Sequence, residues 1–286
     1  MQAIVIDATI LNTVQSCGLK AYYAFHKNLK PLETPTYFDK GSLMHELTRL
    51  YRVFRRHRPN WSKQKMLEIC IKKGRKFYIK LDLSVGDCEE ILRYFVAYAD
   101  KYHGDGWQFL TIEKPFFKEL YRNDSLVIFY QGKPDCSARV PKFDPLIVSD
   151  MKTGSRDTEP SILSNQFIGY AWALDTQIVV VDKVNFYKKM DNEKSFKRYI
   201  LNYPKDLIEE WKEGAIYWAL TYKGYIESEY YPPNLTSCDK YGGCVFAKTS
   251  MGKPGICETE RAARNSKILS EYKVGEPWDV GKTLKT

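Results

Sequence analysis

The chain has 286 residues, with 44 Lys plus Arg against 35 Asp plus Glu, so 44 − 35 gives a formal net charge of +9. Apolar residues make up 44% and charged residues 28%, which excludes a disordered chain and suits a folded core. No run approaches the roughly 18 unbroken apolar residues of a membrane span. The opening Met1-Gln-Ala-Ile-Val-Ile-Asp7 lacks a basic lead and meets an early acid, so it is a poor signal peptide; a cytoplasmic protein is the expectation.

Positive charge together with 21 Tyr, 14 Phe and 6 Trp fits a surface that meets phosphates and stacks bases, although basic proteins that bind no polyanion are as common. Residues 12–29 predict a helix capped by Asn12 or Thr13 and ended by Pro31 and Pro35. A second helix is predicted over 40–57. Leu43, Leu47, Leu50 and Phe54 form its apolar stripe. At about 100° per residue, His45, Arg49, Arg52 and Arg56 gather on the opposite side. Residues 62–80 and 86–104 predict two more helices. The texture then turns β-rich over 107–120, 126–140 and 146–152. A helix at 161–174, strands from 177 and over 194–201, a helix at 204–223 and a polar tail complete the chain. This order predicts an α/β (α+β) fold, a central mixed sheet flanked by helices. No glycine-rich dinucleotide loop or Walker loop is present.

Chemistry concentrates in Gly132-Lys-Pro-Asp135 and Leu146-Ile-Val-Ser-Asp150-Met-Lys152-Thr-Gly154. Residues i and i+2 of a strand share a face about 6.6 Å apart, so Asp150 and Lys152 project together. Asp135, on a neighbouring antiparallel strand, supplies a second carboxylate. Two carboxylates can hold a divalent cation while Lys152 orients or helps deprotonate a water beside it; an edge salt bridge is the simpler reading of Asp-x-Lys alone. Gln166 and Tyr170, i and i+4, share one face of the next helix. The Arg49, Arg52, Arg56 stripe reads either as a solvated face or as a track for a phosphate backbone.

Seven cysteines, an odd number, in a reducing compartment argue against a disulfide framework. Cys70, Cys88 and Cys136 read as small buried side chains. Cys17 stands near one end of the chain, and Cys238, Cys244 and Cys257 group near the other.

Taken in order, G-S-L-M-H45, G-K-P-D135, V-S-D150-M-K152-T-G and Q166-F-I-G-Y170 resemble the PD-(D/E)XK nuclease superfamily, and more narrowly its RecB-like branch, which includes CRISPR-associated exonucleases and phage recombination nucleases. The resemblance implies a restriction-endonuclease-like core in one nuclease domain over 1–262. A helical insert at about 58–106, a cysteine-bound lobe from 10–30 plus 225–262 and a tail over 263–286 would complete it. It implies that His45, Asp135, Asp150 and the Met151 backbone carbonyl bind Mg²⁺ or Mn²⁺, that Lys152 is the catalytic lysine, and that Gln166 and Tyr170 flank the scissile phosphate. An imidazole among oxygen ligands makes Mn²⁺ at least as acceptable as Mg²⁺. Glu113 is a weaker candidate, more readily an exposed strand carboxylate. The segments S-C17-G-L-K-A-Y-Y and C238-D-K-Y-G-G-C244 with Cys257 resemble the cysteines that hold a [4Fe–4S] cluster in such relatives. Their C-terminal spacing is wider than usual, and a zinc site and free thiols remain alternatives. The implied activity is metal-dependent DNA exonuclease action on single-stranded or duplex ends, in recombination, repair or end processing, with a helicase or recombination partner. A non-catalytic nucleic-acid-binding adaptor and a CRISPR adaptation nuclease that trims spacer precursors are the alternatives.

Overall fold

A computed structural model describes residues 2–32, 37–81, 83–140, 143–239, 243–248 and 252–276. In chain order the first half comprises β1 (Gln2–Ile6), α1 (Ala8–Ser16), α2 (Gly18–Ala21), β2 (Leu29–Pro31), α3 (Tyr37–His57), α4 (Lys63–Phe77) and α5 (Val85–Tyr102). The β-rich middle holds β3 (Gln108–Ile112), β4 (Phe116–Arg122), β5 (Leu126–Gly132), β6 (Cys136–Val140) and β7 (Phe143–Gly154). Then come α6 (Asn165–Ala173), β8 (Ile178–Asn185), α7 (Asn192–Ser195), β9 (Phe196–Asn202), α8 (Lys205–Ser228), α9 (Arg264–Glu271) and β10 (Tyr272–Val274). These elements make a mixed α+β fold, as predicted.

The chain forms two compact units. One comprises Thr36–Pro115 and Lys133–Ile208, the other Met1–Pro35, Phe116–Gly132 and Glu209–Thr286. In the first unit a five-stranded sheet runs β3-β6-β7-β8-β9. Strand β7 is antiparallel to β6 and parallel to β8, while β3 and β9 pair antiparallel at the two edges. The near-continuous apolar run of β8, Ile178-Val-Val-Val181, suits a strand covered on both faces. Helix α3 lays Leu43, Met44 and Leu47 into a core shared with Met66 and Cys70 of α4, Ile91 and Phe95 of α5, and Met151 and Val184 of the sheet. The segment 58–106 thus contributes Met66, Cys70, Ile91 and Phe95 to this core. Serines cap two of these helices: Ser62 accepts from the Lys65 amide and Ser84 from the Asp87 amide. Gly41 decides how closely α3 approaches β7, because a Cβ there would stand 2.7 Å from Thr153 Oγ1.

The second unit has a three-stranded sheet, β1-β5-β4, and a two-stranded pair, β10-β2. Asp7, not Asn12 or Thr13, caps the first helix by accepting from the Ile10 amide at 2.8 Å. The helix predicted over 12–29 breaks at Cys17, whose backbone is extended. The physical reason lies at Gly18. A Cβ there would meet Pro232 Cδ at 2.8 Å, and the Leu19 amide donates to the Pro232 carbonyl at 3.2 Å. Part of the expected tail is ordered: α9 leads into β10, which pairs with β2, while residues 277–286 lie outside the described residues.

The β-rich runs 107–120 and 126–140 each divide between the two sheets. Glu113, with φ of 46°, and Pro115 end the first strand of one run. Pro134, which has no N–H to give a ladder, ends the first strand of the other.

Candidate active site

The candidate residues lie in the unit that contains the five-stranded sheet, where alternation along β7 sorts them. Met151 and its register partner Asp182 point to one face, and Asp150, Lys152 and Lys183 to the other. Helix α3 covers the first face, where Thr48 Oγ1 stands 3.8 Å from Met151 Sδ. Helix α6 covers the second, where Gln166 Nε2 donates to Asp150 Oδ1 at 3.4 Å. The loop between β5 and β6 brings Asp135 to the same place: its Oδ2 accepts the Met151 amide at 2.7 Å and stands 3.4 Å from His45 Nδ1.

Gln166 Nε2 also donates to the Tyr170 hydroxyl at 2.9 Å, and Tyr170 donates to the Lys133 carbonyl at 3.1 Å. His45, Asp135, Asp150, Met151, Lys152, Gln166 and Tyr170 are therefore brought together by four separate segments. Glu113 is not an exposed strand residue. It follows β3, is half-buried and pairs with Lys133 Nζ at 3.0 Å, and its amide donates to the Asp135 carbonyl at 2.9 Å.

The two carboxylates differ sharply. Burial would raise the Asp135 pKa, but the His45 hydrogen bond and charge, then Arg52 and the Met151 amide, hold it down at about 2. Asp150 is raised to about 6, first by burial and then by the charge of Asp135, against the opposing pull of Lys152. Lys152 Nζ stands 2.6 Å from Asp150 Oδ2 and pairs with this buried oxygen as an ammonium–carboxylate contact. Burial lowers the His45 pKa, but the Asp135 hydrogen bond and the two acid charges raise it overall.

The donor chemistry fits a hard divalent cation: a buried carboxylate held only by side-chain groups, beside a second carboxylate and an imidazole. Among the described residues, no three His, Cys, Asp or Glu side chains are grouped closely enough to hold a metal ion as they stand. The carboxylates are engaged by Lys152, His45 and Gln166 instead.

The arginine stripe departs from its prediction. Arg52 is only 4% exposed, because two acids draw it inward. Its Nη2 stands 3.2 Å from Asp182 Oδ2 and its Nη1 3.7 Å from Asp135 Oδ2. Arg49 is held by Glu46 through two contacts of 2.7 Å, so its charge is spent locally. Arg56 alone of the three is exposed.

Sequence reasoning missed the layer beneath the site. Asp182 accepts from Tyr98 at 2.6 Å and from Arg198 Nε at 2.7 Å, besides its Arg52 contact. The signal was available, because an acid inside the apolar run of β8 must find buried partners.

The four grouped cysteines all belong to the other unit. Asn234 N–H stands 3.3 Å from Cys17 Sγ, and Cys244 and Cys257 pack beside Phe246 and Ile256. Burial raises the Cys257 pKa to about 12, with further contributions from Cys244, Cys17 and Cys238. Cys238 is raised by burial, then by Cys244 and Cys17. Four thiols within one another's field are a donor set that suits a soft metal or a cluster, although they too fall short of a ready-made metal group.

The family model of the PD-(D/E)XK nuclease superfamily matches residues 7–246. The chain belongs to that superfamily. No curated protein matches the chain. Among solved structures, this nuclease-superfamily chain is similar to a candidate exonuclease from Eubacterium rectale, at 12% identity over 82% of this chain and 86% of that one, with a TM-score of 0.49. It is also similar to an alkaline exonuclease from Laribacter hongkongensis, at 10% identity over 66% of this chain and 93% of that one, with a TM-score of 0.33. That enzyme has also been solved with dAMP. No described helix is long and apolar enough to cross a membrane.

Proposed function

We propose that this superfamily member is a metal-dependent DNA exonuclease of the RecB-like branch, acting on single-stranded or duplex ends in recombination, repair or end processing. One observation carries the reading. Asp135 and Asp150 converge from different segments, and Lys152 Nζ lies against Asp150 Oδ2 at 2.6 Å. In this reading His45, Asp135, Asp150 and the Met151 carbonyl hold Mg²⁺ or Mn²⁺, which when bound stabilises charge on the attacking and leaving oxygens of a phosphodiester. Lys152 orients the attacking water and accepts or relays its proton. Gln166, tied to both Asp150 and Tyr170, positions the phosphate. A helicase or recombination partner would supply any unwinding.

In this reading Cys17, Cys238, Cys244 and Cys257, which belong to one unit and feel one another's charge, hold a [4Fe–4S] cluster that fastens the two chain ends, with zinc as the alternative. A non-catalytic adaptor is disfavoured because Asp135, Asp150 and Lys152 are all retained together. Trimming of CRISPR spacer precursors would use the same chemistry.

The test is degradation of end-labelled DNA by wild-type protein and Asp150→Ala, with Mn²⁺, Mg²⁺ or EDTA. The expected result is cation-dependent loss of DNA from its ends by wild type only, with Mn²⁺ at least as effective as Mg²⁺. Equal loss in both preparations would assign the activity to a contaminant and leave a binding protein. A strict Mg²⁺ requirement would remove His45 from the ligand set.

A further inference from the structure

A cavity of about 240 Å³ opens beside Lys152, walled by β7 and β8 on one side and by the segment before α6 on the other. Lys152 and Lys183 are register partners across the parallel β7–β8 pair, so both side chains leave the same face of the sheet, Lys152 reaching Asp150 and Lys183 reaching toward Gly154. Lys152 is engaged by Asp150. Lys183 makes no ion pair among the described residues. Asp157, the acid that favours its charge, is itself bound by Lys197 and Tyr199. Burial lowers the Lys183 pKa, and Lys152 lowers it further. Gly154 clears the ammonium, since a Cβ there would stand 3.2 Å from Lys183 Nζ.

Like charges placed opposite each other on a sheet destabilise it, so two adjoining lysines are a cost unless an anion comes between them. The rest of the cavity suits one. Thr158, Ser161 and Ser164 contribute hydroxyl-bearing residues to its wall. Ser164 precedes α6 without using its side chain as a cap. Glu159, exposed like Thr158 and Ser161, is the one acid in the lining and comes from the segment before α6, whereas the strand side of the cavity carries Lys152 and Lys183.

We propose that Lys183 and this cavity form a subsite for a nucleic-acid phosphate adjacent to the one that is cut. The inference rests on the nuclease reading and adds the position of a second phosphate to it. Lys152 serves the reacting phosphate, while Lys183, on the neighbouring strand and lining the same cavity, meets the next one.

The test measures binding of a short fluorescein-labelled oligonucleotide in EDTA by anisotropy, for wild type, Lys183→Gln, Lys183→Arg and Asp150→Asn. Lys183→Gln is expected to weaken binding about tenfold at low salt and to reduce the salt slope by about one, and Lys183→Arg to restore most of both. Its melting temperature without DNA should equal or exceed that of wild type, because a repulsion has been removed. One methylphosphonate at the phosphate next to the cut should abolish the difference between wild type and Lys183→Gln, the non-additivity of two groups in contact.

Comparison of 5′-phosphorylated with 5′-hydroxyl oligonucleotides identifies the source. A difference that follows the 5′ group assigns a terminal monoester, and one that follows the internal methylphosphonate assigns a diester. Identical affinity and slope for wild type and Lys183→Gln would overturn the subsite, as would additive losses at every methylphosphonate position. Cation-dependent cleavage by wild type with unchanged Lys183→Gln binding removes the subsite but keeps the nuclease. Lost binding in Lys183→Gln without cleavage by wild type keeps the subsite and removes the nuclease.

Discussion

The Met151 amide donates to Asp135 Oδ2 at 2.7 Å, so the strand that carries Asp150 and Lys152 also fixes the carboxylate of the preceding loop. The two acids thereby share a site while living in different electrostatic settings. Asp135 is surrounded by a hydrogen-bond donor, His45 and Arg52, which favour its charge. Asp150 faces burial and a second carboxylate, against which Lys152 and then His45 compensate only in part.

Neutralising these acids should therefore have opposite effects on stability. Asp135→Asn leaves the buried Arg52 with less compensation and should destabilise by about 1–3 kcal/mol. Asp150→Asn should stabilise the cation-free protein by about 1 kcal/mol. Both variants should lose cleavage. The sign for Asp150 follows from its raised pKa. Its carboxylic acid form is the better accommodated one, so wild type loses stability as pH rises from the unfolded value near 3.8 to about 6. The advantage of Asp150→Asn should accordingly be absent near pH 4 and complete above about pH 6. Thermal melts in EDTA across that range check it, and a destabilised Asp150→Asn at neutral pH would contradict the assignment of strain to this carboxylate.

Asp182 behaves in the opposite sense. Burial would raise its pKa, but Arg198, Arg52 and Tyr98 lower it overall. A lowered carboxylate pKa contributes stability above the unfolded value, which is lost as pH falls through the folded value. Removing one member of such a buried network leaves charges uncompensated, so Asp182→Asn should cost about 3–5 kcal/mol. Compared with wild type, the variant should show a smaller loss of stability on acidification. Denaturant unfolding at neutral and acidic pH measures both effects.

The arginine stripe shows where the sequence stops being informative. Helical periodicity correctly groups Leu43, Leu47 and Leu50 on the buried side of α3. It cannot see that Arg52 meets an acid 130 positions away, because the pull on a side chain from another strand has no local signature. The same holds at Cys17, where Pro232 crosses Gly18, and in the β-rich runs, whose division between two sheets depends on strand pairing. By contrast, strand alternation, a local rule, places Asp150 and Lys152 on one face of β7, while Asp135 reaches them from the loop before β6 and not from the neighbouring strand that the sequence suggests. Arg52→Ala should accordingly lower stability by several kcal/mol through loss of a buried partner. Arg56→Ala should leave the melting temperature unchanged and reduce the salt slope of DNA binding by about one if Arg56 meets a phosphate. Equal effects of the two variants on DNA binding, with no difference in stability, would restore the continuous basic track.

The cysteine quartet gives the last prediction. Asn234 N–H approaches Cys17 Sγ and its side chain donates to the Ser16 carbonyl, so segments more than two hundred positions apart in sequence already meet at the first cysteine. A cluster or metal ion bound by all four thiolates would convert this contact into a covalent tie, and its binding energy would become folding energy. Anaerobically purified protein should then carry iron and sulfide and absorb broadly in the visible, and Cys17→Ser should lose both the colour and several degrees of melting temperature. Colourless protein containing zinc would assign the Cys₄ alternative. Metal-free protein whose melting temperature is unaffected by Cys17→Ser would leave the four as ordinary thiols. Cys70→Ala is the matched control: its thiol is buried among Leu47, Met66 and Leu67, so it should lower stability through lost packing while leaving any colour intact.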